Sequence, residues 1–279
     1  MSRFKCWKIL VIYNMLIILL IIFGCSNQTK QTNQVKWNIK GYVEAKDKFR
    51  AWQGVCTDGK YLYVTTDRNE KFELENIISV YTIDGKFVSE KRKAYTKPDS
   101  KGKFMSFGQG TIIDGKMYVT AYNFNASANP LESRAVIYNL QRLDILEEHD
   151  IGEGVAESIS KYAGDFYICY HDKQEIRRFN SNYKLINIYP LSQKAGPDGG
   201  YQSIFWDGDC AFLNMHGANE RGKVYSSGLD KYQFDGSSFK FSCRIKPPTY
   251  GSGQGVSKYL NRFYWADRVE NKIVITNGI

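Results

Sequence analysis

One glutamate, two histidines and one aspartate are candidates for acid–base chemistry because they share equivalent places in a repeated pattern. Glu157, His171 and His216 fall in successive segments of similar sequence, and Asp67 ends a matching segment earlier in the chain. A buried carboxyl group with a raised pKa can exchange a proton with a bound substrate. The same residue types bind divalent metals, so a metal ion could be held here, although no local metal motif is present and no cofactor is predicted.

A second set of polar residues is predicted to bind a ligand. Five segments begin with an amide or carboxyl side chain, at Gln53, Gln109, Glu157, Gln202 and Gln254. Further polar and aromatic residues flank the first and last segments, at Trp52, Arg68, Asp267 and Arg268. A wall carrying Arg68 and Arg268, opposite one carrying Glu157, could orient a polar or anionic ligand. The structural alternative is that the glutamines only hydrogen-bond strand ends and water.

An internal repeat places these residues. The segments start 56, 48, 45 and 52 residues apart, close to the length of a four-stranded blade of a β-propeller. Each segment reads as a short strand, a turn that usually contains Gly or Asn, and a second strand rich in aromatic residues. No stretch after Gln28 has a helical period. The pattern predicts an all-β fold in which the first strands line a channel and the segment starts share one mouth.

The two ends of the repeat set the predicted number of blades. The fifth repeat stops after its third strand, at residues 272–276, whereas residues 35–39 form an alternating strand without a repeat of its own. We expect residues 35–44 to supply the missing outer strand of the last blade, because this closure pairs edges that would otherwise stay open. The prediction is a five-bladed β-propeller over residues 35–279, its last blade closed by the N-terminal strand.

The Gln-Gly pairs at three segment starts, followed by a turn and an aromatic strand, resemble the glutamine cyclotransferase superfamily. The pairs are Gln53-Gly54, Gln109-Gly110 and Gln254-Gly255. The resemblance implies a five-bladed propeller with its site at the channel mouth. In these enzymes, which cyclise N-terminal glutamine, a Phe-Thr-Gln-Gly-Leu segment precedes a glutamate on the next strand. Residues 51–55 match the segment, but residues 62–66 contain no acid, which argues against cyclase activity.

The N-terminus predicts export and lipidation. Basic residues at positions 3, 5 and 8 precede an apolar run to Phe23, and Gly24 stands before Cys25. A basic head and an apolar run indicate a secretion signal or a membrane anchor. The small residue before a cysteine resembles the lipobox of bacterial lipoproteins. We therefore predict a signal peptide over residues 1–24, a lipidated Cys25 and a polar tether over residues 25–34; an uncleaved transmembrane anchor is the alternative. Either places the folded part in the cell envelope, outside the cytoplasm and attached to a membrane.

The net charge and the cysteines limit the classes of partner and the kinds of cysteine chemistry that are expected. Loss of residues 1–24 lowers the formal charge from +9 to +6, and the remaining basic residues are scattered, so nucleic acid is not a predicted partner. The four remaining cysteines lie in strand-like runs without metal-type spacing and are expected to be small buried side chains. Cys210 and Cys243 share one repeat and could pair.

Three functions fit these features. The first is a binding lipoprotein that recognises a polar small molecule, a glycan, a peptide or a protein at the channel mouth. The second is a propeller enzyme, either a glycoside hydrolase or lyase or a cyclotransferase-like enzyme, that uses Glu157 with a histidine or aspartate at the same face. The third is a structural envelope component that binds protein through its outer strands. No feature of the sequence specifies an oligomeric state.

Overall fold

The protein is described from a computed structural model that covers residues 36–48, 50–67, 75–123, 131–193, 200–218 and 224–278, without the side chains of residues 216–218 and 224–227. The described residues form strands, turns and bends, as expected of an all-β chain. Within them, no helix is long and apolar enough to cross a membrane.

The described residues contain 20 strands, which form four-stranded antiparallel units. In chain order the strands are β1 (Asn38–Glu44), β2 (Gly54–Thr57), β3 (Tyr61–Thr66), β4 (Ile77–Thr82), β5 (Phe87–Lys91), β6 (Ser106–Ile113), β7 (Lys116–Tyr122), β8 (Glu132–Asn139), β9 (Ile145–Glu153), β10 (Ala156–Tyr162), β11 (Asp165–Tyr170), β12 (Glu175–Phe179), β13 (Leu185–Pro190), β14 (Gly200–Asp207), β15 (Cys210–Ala218), β16 (Val224–Phe234), β17 (Phe239–Ile245), β18 (Val256–Tyr259), β19 (Arg262–Asp267) and β20 (Lys272–Asn277).

The units are arranged in a ring. β2 to β5 form one sheet, β14 to β17 a second, and β1 with β18 to β20 a third, whereas β6 to β13 form an eight-stranded sheet. The eight-stranded sheet consists of two antiparallel halves joined by one parallel pairing, between Gln109 of β6 and Ser158 of β10. The first strands of the units contact one another in cyclic order, from β2 through β6, β10, β14 and β18 back to β2. This is the arrangement of a β-propeller, in which the inner strands surround a central channel.

The N-terminal strand closes the last unit. β1 pairs with β20 antiparallel, from Asn38 opposite Asn277 to Glu44 opposite Lys272. Trp37, just before β1, packs edge-on against Phe263 and Trp265, and its indole nitrogen donates a hydrogen bond to the carbonyl oxygen of Lys246 at 2.6 Å. The pairing predicted for the N-terminal strand is confirmed, and it ties the two ends of the described chain together.

Apolar side chains fill the space between neighbouring units. In the described residues, each pair of neighbouring units encloses its own buried cluster, as expected for sheets that pack face to face around a ring. Cys56 and Cys169 lie in two of these clusters as buried thiols, in agreement with their predicted role. Cys210 and Cys243 are free and half-buried, so the pairing considered for them is absent.

Candidate functional site

The structure brings together three of the five residues that begin the repeated segments. The amide nitrogen of Gln53 donates to Glu157 Oε2 at 2.8 Å and contacts Gln202 Oε1 at 3.4 Å. All three side chains are almost fully buried. Gln53 precedes β2, whereas Glu157 and Gln202 lie near the starts of β10 and β14. The inner strands therefore present these groups at one end of the channel, as the repeat predicted.

Glu157 occupies a poorly hydrated position with a hydroxyl group as a second partner. Tyr122, the last residue of β7, hydrogen-bonds its carboxyl group and also accepts from Gln53 at 3.3 Å. Burial raises the pKa of Glu157 to about 8, and the nearby charge of Asp67 adds to the rise, while the hydrogen bond from Tyr122 and the charge of Arg268 oppose it. The carboxyl group is therefore held largely protonated at neutral pH.

A histidine continues the network from Gln202. The Gln202 amide nitrogen lies 2.7 Å from Nδ1 of His171, just after β11. Because an amide nitrogen can only donate, Nδ1 must accept, which requires the neutral ring. Burial lowers the pKa of His171 and favours this state. A β-carbon at Gly200 would collide with the imidazole, so this position needs glycine for the close approach.

Asp67 and Arg268 lie within electrostatic reach of this network. Burial raises the pKa of Asp67 to about 6, and the charge of Arg268 opposes the rise. The Arg268 guanidinium stacks on the Trp52 ring, 4.0 Å from the ring centre. Arg268 also interacts electrostatically with Glu157. The sequence had predicted opposite walls for the arginine and the glutamate, but the structure places their charges close enough to influence each other across the narrow channel.

Two glutamines of the predicted ring stand apart from this hydrogen-bond network. The Gln109 amide nitrogen donates to the carbonyl oxygens of Val55 at 2.9 Å and Val256 at 3.2 Å, on the inner strands of two other units. Its amide oxygen lies against Gly54 and Gly255, where any β-carbon would clash with it. Gln109 thus links the inner strands of three units across the channel, and this link is called the cross-brace below. Gln254 is buried, and no described residue hydrogen-bonds its amide nitrogen.

Asp267, a predicted ligand-binding residue, is hydrogen-bonded within the fold. Its fully buried carboxylate accepts hydrogen bonds from the Thr249 hydroxyl at 2.7 Å and from the backbone N–H groups of Val269 at 3.0 Å and Glu270 at 2.9 Å. These bonds fix the turn after β19, so its oxygen atoms are already engaged.

Some predicted site residues lie outside the described part of the chain. These are Cys25, Arg68 and the side chain of His216. Among the described residues, no three His, Cys, Asp or Glu side chains are grouped closely enough to hold a metal ion. Sequence reasoning missed Tyr122, because an aromatic residue in the second strand of a repeat suggested core packing.

The comparisons with known proteins bear on the fold. The chain matches no protein-family model and no curated protein sequence. The crystal structure of Myxococcus xanthus glutaminyl cyclase aligns with a TM-score of 0.59 at 9% identity, over 88% of this chain and 98% of that chain. The fold is a glutaminyl cyclase-like β-propeller. A streptogramin B lyase structure aligns with a TM-score of 0.47 at 11% identity, over 85% of this chain and 96% of that one.

Proposed function

We propose that this protein is a lipid-anchored, extracytoplasmic propeller of five blades that binds a polar ligand at the channel end where the inner strands begin. Each four-stranded unit corresponds to one blade, with β1 completing the fifth. The ligand classes that fit a mouth lined by amide, carboxyl, guanidinium and indole groups are a polar small molecule, a glycan, a peptide or a protein segment.

One observation carries the binding proposal. Three polar atoms at this end are shielded from solvent and have no hydrogen-bond partner within the described chain: Asp67 Oδ1, Arg268 Nε and Gln254 Nε2. Leaving such a group unpaired costs about 1–3 kcal/mol. A polar ligand that supplies one acceptor group and one donor group would satisfy several of these atoms together, and would offset that cost.

Glycan and peptide arrays probed with the purified mature protein test this function. We expect a discrete set of polar array members to bind, and Arg268→Met to weaken that binding at least tenfold. Arg262→Met is the matched control, because Arg262 begins strand β19, whereas Arg268 directly follows the other end of that strand. Equal retention of binding by both variants, in a folded protein, would exclude the strand-start mouth as the site.

Glu157 favours a second function at the same mouth, that of a general acid–base enzyme. A carboxyl group with a pKa of about 8, hydrogen-bonded by a tyrosine and a glutamine, can donate a proton near neutral pH. Asp67, His171 or His216 would be its partner. Glycoside hydrolase, lyase and cyclotransferase-like reactions are the candidate classes, although the glutamate that follows the motif in the cyclotransferase family has no counterpart at residues 62–66.

Glu157→Gln separates this function from binding alone. Under the catalytic hypothesis, the variant retains affinity for compounds found on the arrays but loses at least about 100-fold in turnover of them. The wild-type rate should also fall as the pH rises through about 8. Full turnover by the variant would reject Glu157 as the acid. A Cys25→Ser variant tests the anchor separately: we expect the protein to lose the mass of its lipid, as measured by mass spectrometry.

A further inference from the structure

The opposite end of the channel contains a cavity that the proposed function does not use. It has a volume of about 450 Å³ and is lined by the residues that end the inner strands, together with Gln109. Every inner strand contributes to its wall, from Thr57 on β2 to Lys258 on β18. A volume of this size matches that of pockets for small organic ligands, about 300–1,000 Å³.

The lysines of this cavity are neutralised by aspartates of neighbouring units. Lys258 lies 2.6 Å from Asp207, and Lys161 lies 2.5 Å from Asp114. Each pair therefore adds no net charge to the cavity wall, while it still offers ammonium donors and carboxylate acceptors. A ligand with a full charge would have to compete with one of these pairs, so the wall favours a neutral ligand with many hydrogen-bonding groups.

Hydroxyl and aromatic groups complete the wall. Ser257 lines the cavity, and its hydroxyl oxygen is shielded from solvent without a hydrogen-bond partner among the described residues. Thr111 also lines the cavity, as do Thr57 and Ser160, whose hydroxyl groups hydrogen-bond to Tyr61 and Tyr167 within the fold. Tyr162 and Trp206 stack 4.0 Å apart across two units, and both remain half-buried at the cavity edge. Hydroxyl partners beside aromatic surface suit a molecule with polar edges and apolar C–H faces.

We infer that this cavity is a second ligand site, which takes a neutral, hydroxyl-rich small molecule of the size of a monosaccharide or disaccharide. The cross-brace formed by Gln109 stands between this site and the network around Glu157. The inference is therefore independent of the function proposed for the other mouth.

Saturation-transfer NMR and calorimetry with glucose, N-acetylglucosamine, maltose and cellobiose test this site on the purified mature protein. Glucose 6-phosphate and glucosamine serve as charged counterparts. We expect at least one of the neutral sugars to bind with a Kd below about 10 mM, a weak but measurable affinity. Its charged counterpart should bind more weakly, because the lysines and aspartates are already paired. No binding by any neutral sugar, or tighter binding of the charged forms, would overturn the inference.

Two serine substitutions locate the bound sugar. Ser257→Ala removes the unpartnered hydroxyl and should weaken binding about five- to tenfold, the effect of one lost hydrogen bond. Ser203→Ala is the matched control, since its hydroxyl is also buried and unpartnered but does not line the cavity. Thr111→Phe, which fills the cavity from another strand, should abolish binding. Sugar binding that survives both cavity variants but is lost in Arg268→Met would assign it to the other mouth and contradict the inference.

Discussion

At the channel end where the inner strands begin, the ionisable groups of Glu157, Asp67 and Arg268 are buried, and none of them forms an ion pair with another described residue. At the end where the same strands finish, Lys161 and Lys258 each contact an aspartate of the next unit. The same channel thus has buried, unpaired ionisable groups at one end and lysine–aspartate ion pairs at the other. The Gln109 cross-brace lies between the two ends.

The two ends differ in how their ionisable groups affect the stability of the folded state. Buried ionisable groups without close partners have shifted pKa values and reduce the stability of the folded state at pH values where they must ionise. Exposed ion pairs contribute little to stability and tolerate change. Strain of this kind concentrates at functional sites, which makes the strand-start end the better candidate for ligand chemistry. The following predictions test the contrast between the ends.

The largest expected effect is a loss of stability, dependent on Glu157, as the pH rises from about 4.5 to about 8. Its pKa is about 8 in the folded protein, against 4.5 for the unperturbed group. The folded state therefore binds more protons than the unfolded state between these values, so the free energy of unfolding falls as the pH rises through this window. At about 1.4 kcal/mol per pH unit over this window, the decline reaches at most about 5 kcal/mol.

Urea denaturation of the wild type and of Glu157→Gln across pH 4–9 measures this effect. The variant should lose most of the decline and keep the smaller part that comes from Asp67, whose pKa is also raised, to about 6. Glu153→Gln, on the exposed edge strand β9, should retain the wild-type pH profile. Identical profiles for the wild type and Glu157→Gln would show that the carboxyl group is hydrated, and the contrast between the two ends would disappear.

The second prediction concerns the cross-brace between the two ends. A β-carbon at Gly255 would clash with the Gln109 amide and lie 2.5 Å from the Cα atom of Gly54. Gly255→Ala should therefore reduce the free energy of unfolding by about 3 kcal/mol, as expected for overpacking against backbone. At Gly54 the nearest obstacle is the flexible end of the Gln109 side chain, so Gly54→Ala should cost less.

A double-mutant comparison by urea denaturation checks this explanation. Adding Gln109→Ala should partly restore the stability of Gly54→Ala, since it removes the clashing amide. It should not restore the stability of Gly255→Ala, because the backbone of Gly54 still obstructs the new β-carbon. Gly41→Ala is the control without neighbours within 4 Å of the new β-carbon and should leave stability unchanged. Full rescue of both glycine variants by Gln109→Ala would mean that the backbones at the channel centre separate easily.

The repeat predicted most of the fold because its signals are local. Aromatic strands and glycine turns recur at nearly constant spacing, and they determined which strands lie innermost. The partner of β1 was also predictable, since the last unit was short by one strand and residues 35–44 had no other place. The direction of side chains within the channel was harder to predict from the sequence, because residues at equivalent repeat positions need not form equivalent contacts.

Gln109 and Asp267 illustrate this limit. Gln109 occupies the same repeat position as Gln53, yet a register shift in β6 between Phe107 and Gly110 accompanies its different set of partners. Asp267 ends its second strand as Asp67 does, but the turn that follows supplies N–H donors to its carboxylate. Neither the register shift nor the turn geometry has a sequence signal strong enough to predict. The place of Glu157 at the start of an inner strand was predictable from the repeat, but the burial of its carboxyl group was not.

The smallest expected effect lies at the ion-paired end. Lys258→Met should lower the free energy of unfolding by at most about 1 kcal/mol, because the Lys258–Asp207 pair is partly exposed and water screens it. Raising the salt concentration should reduce the difference from the wild type further. Thermal denaturation at low and high salt measures both effects.

Arg268→Met provides the comparison across the channel. Its removal should raise the pKa of Asp67 above about 6, because the charge that opposes the rise is lost. Carbon-13 NMR of the Asp67 carboxyl group in the two variants reports this shift, with Lys258→Met expected to leave it unchanged. If instead both substitutions moved the Asp67 titration equally, the two ends would share one electrostatic field, and Gln109 would separate them sterically but not electrically.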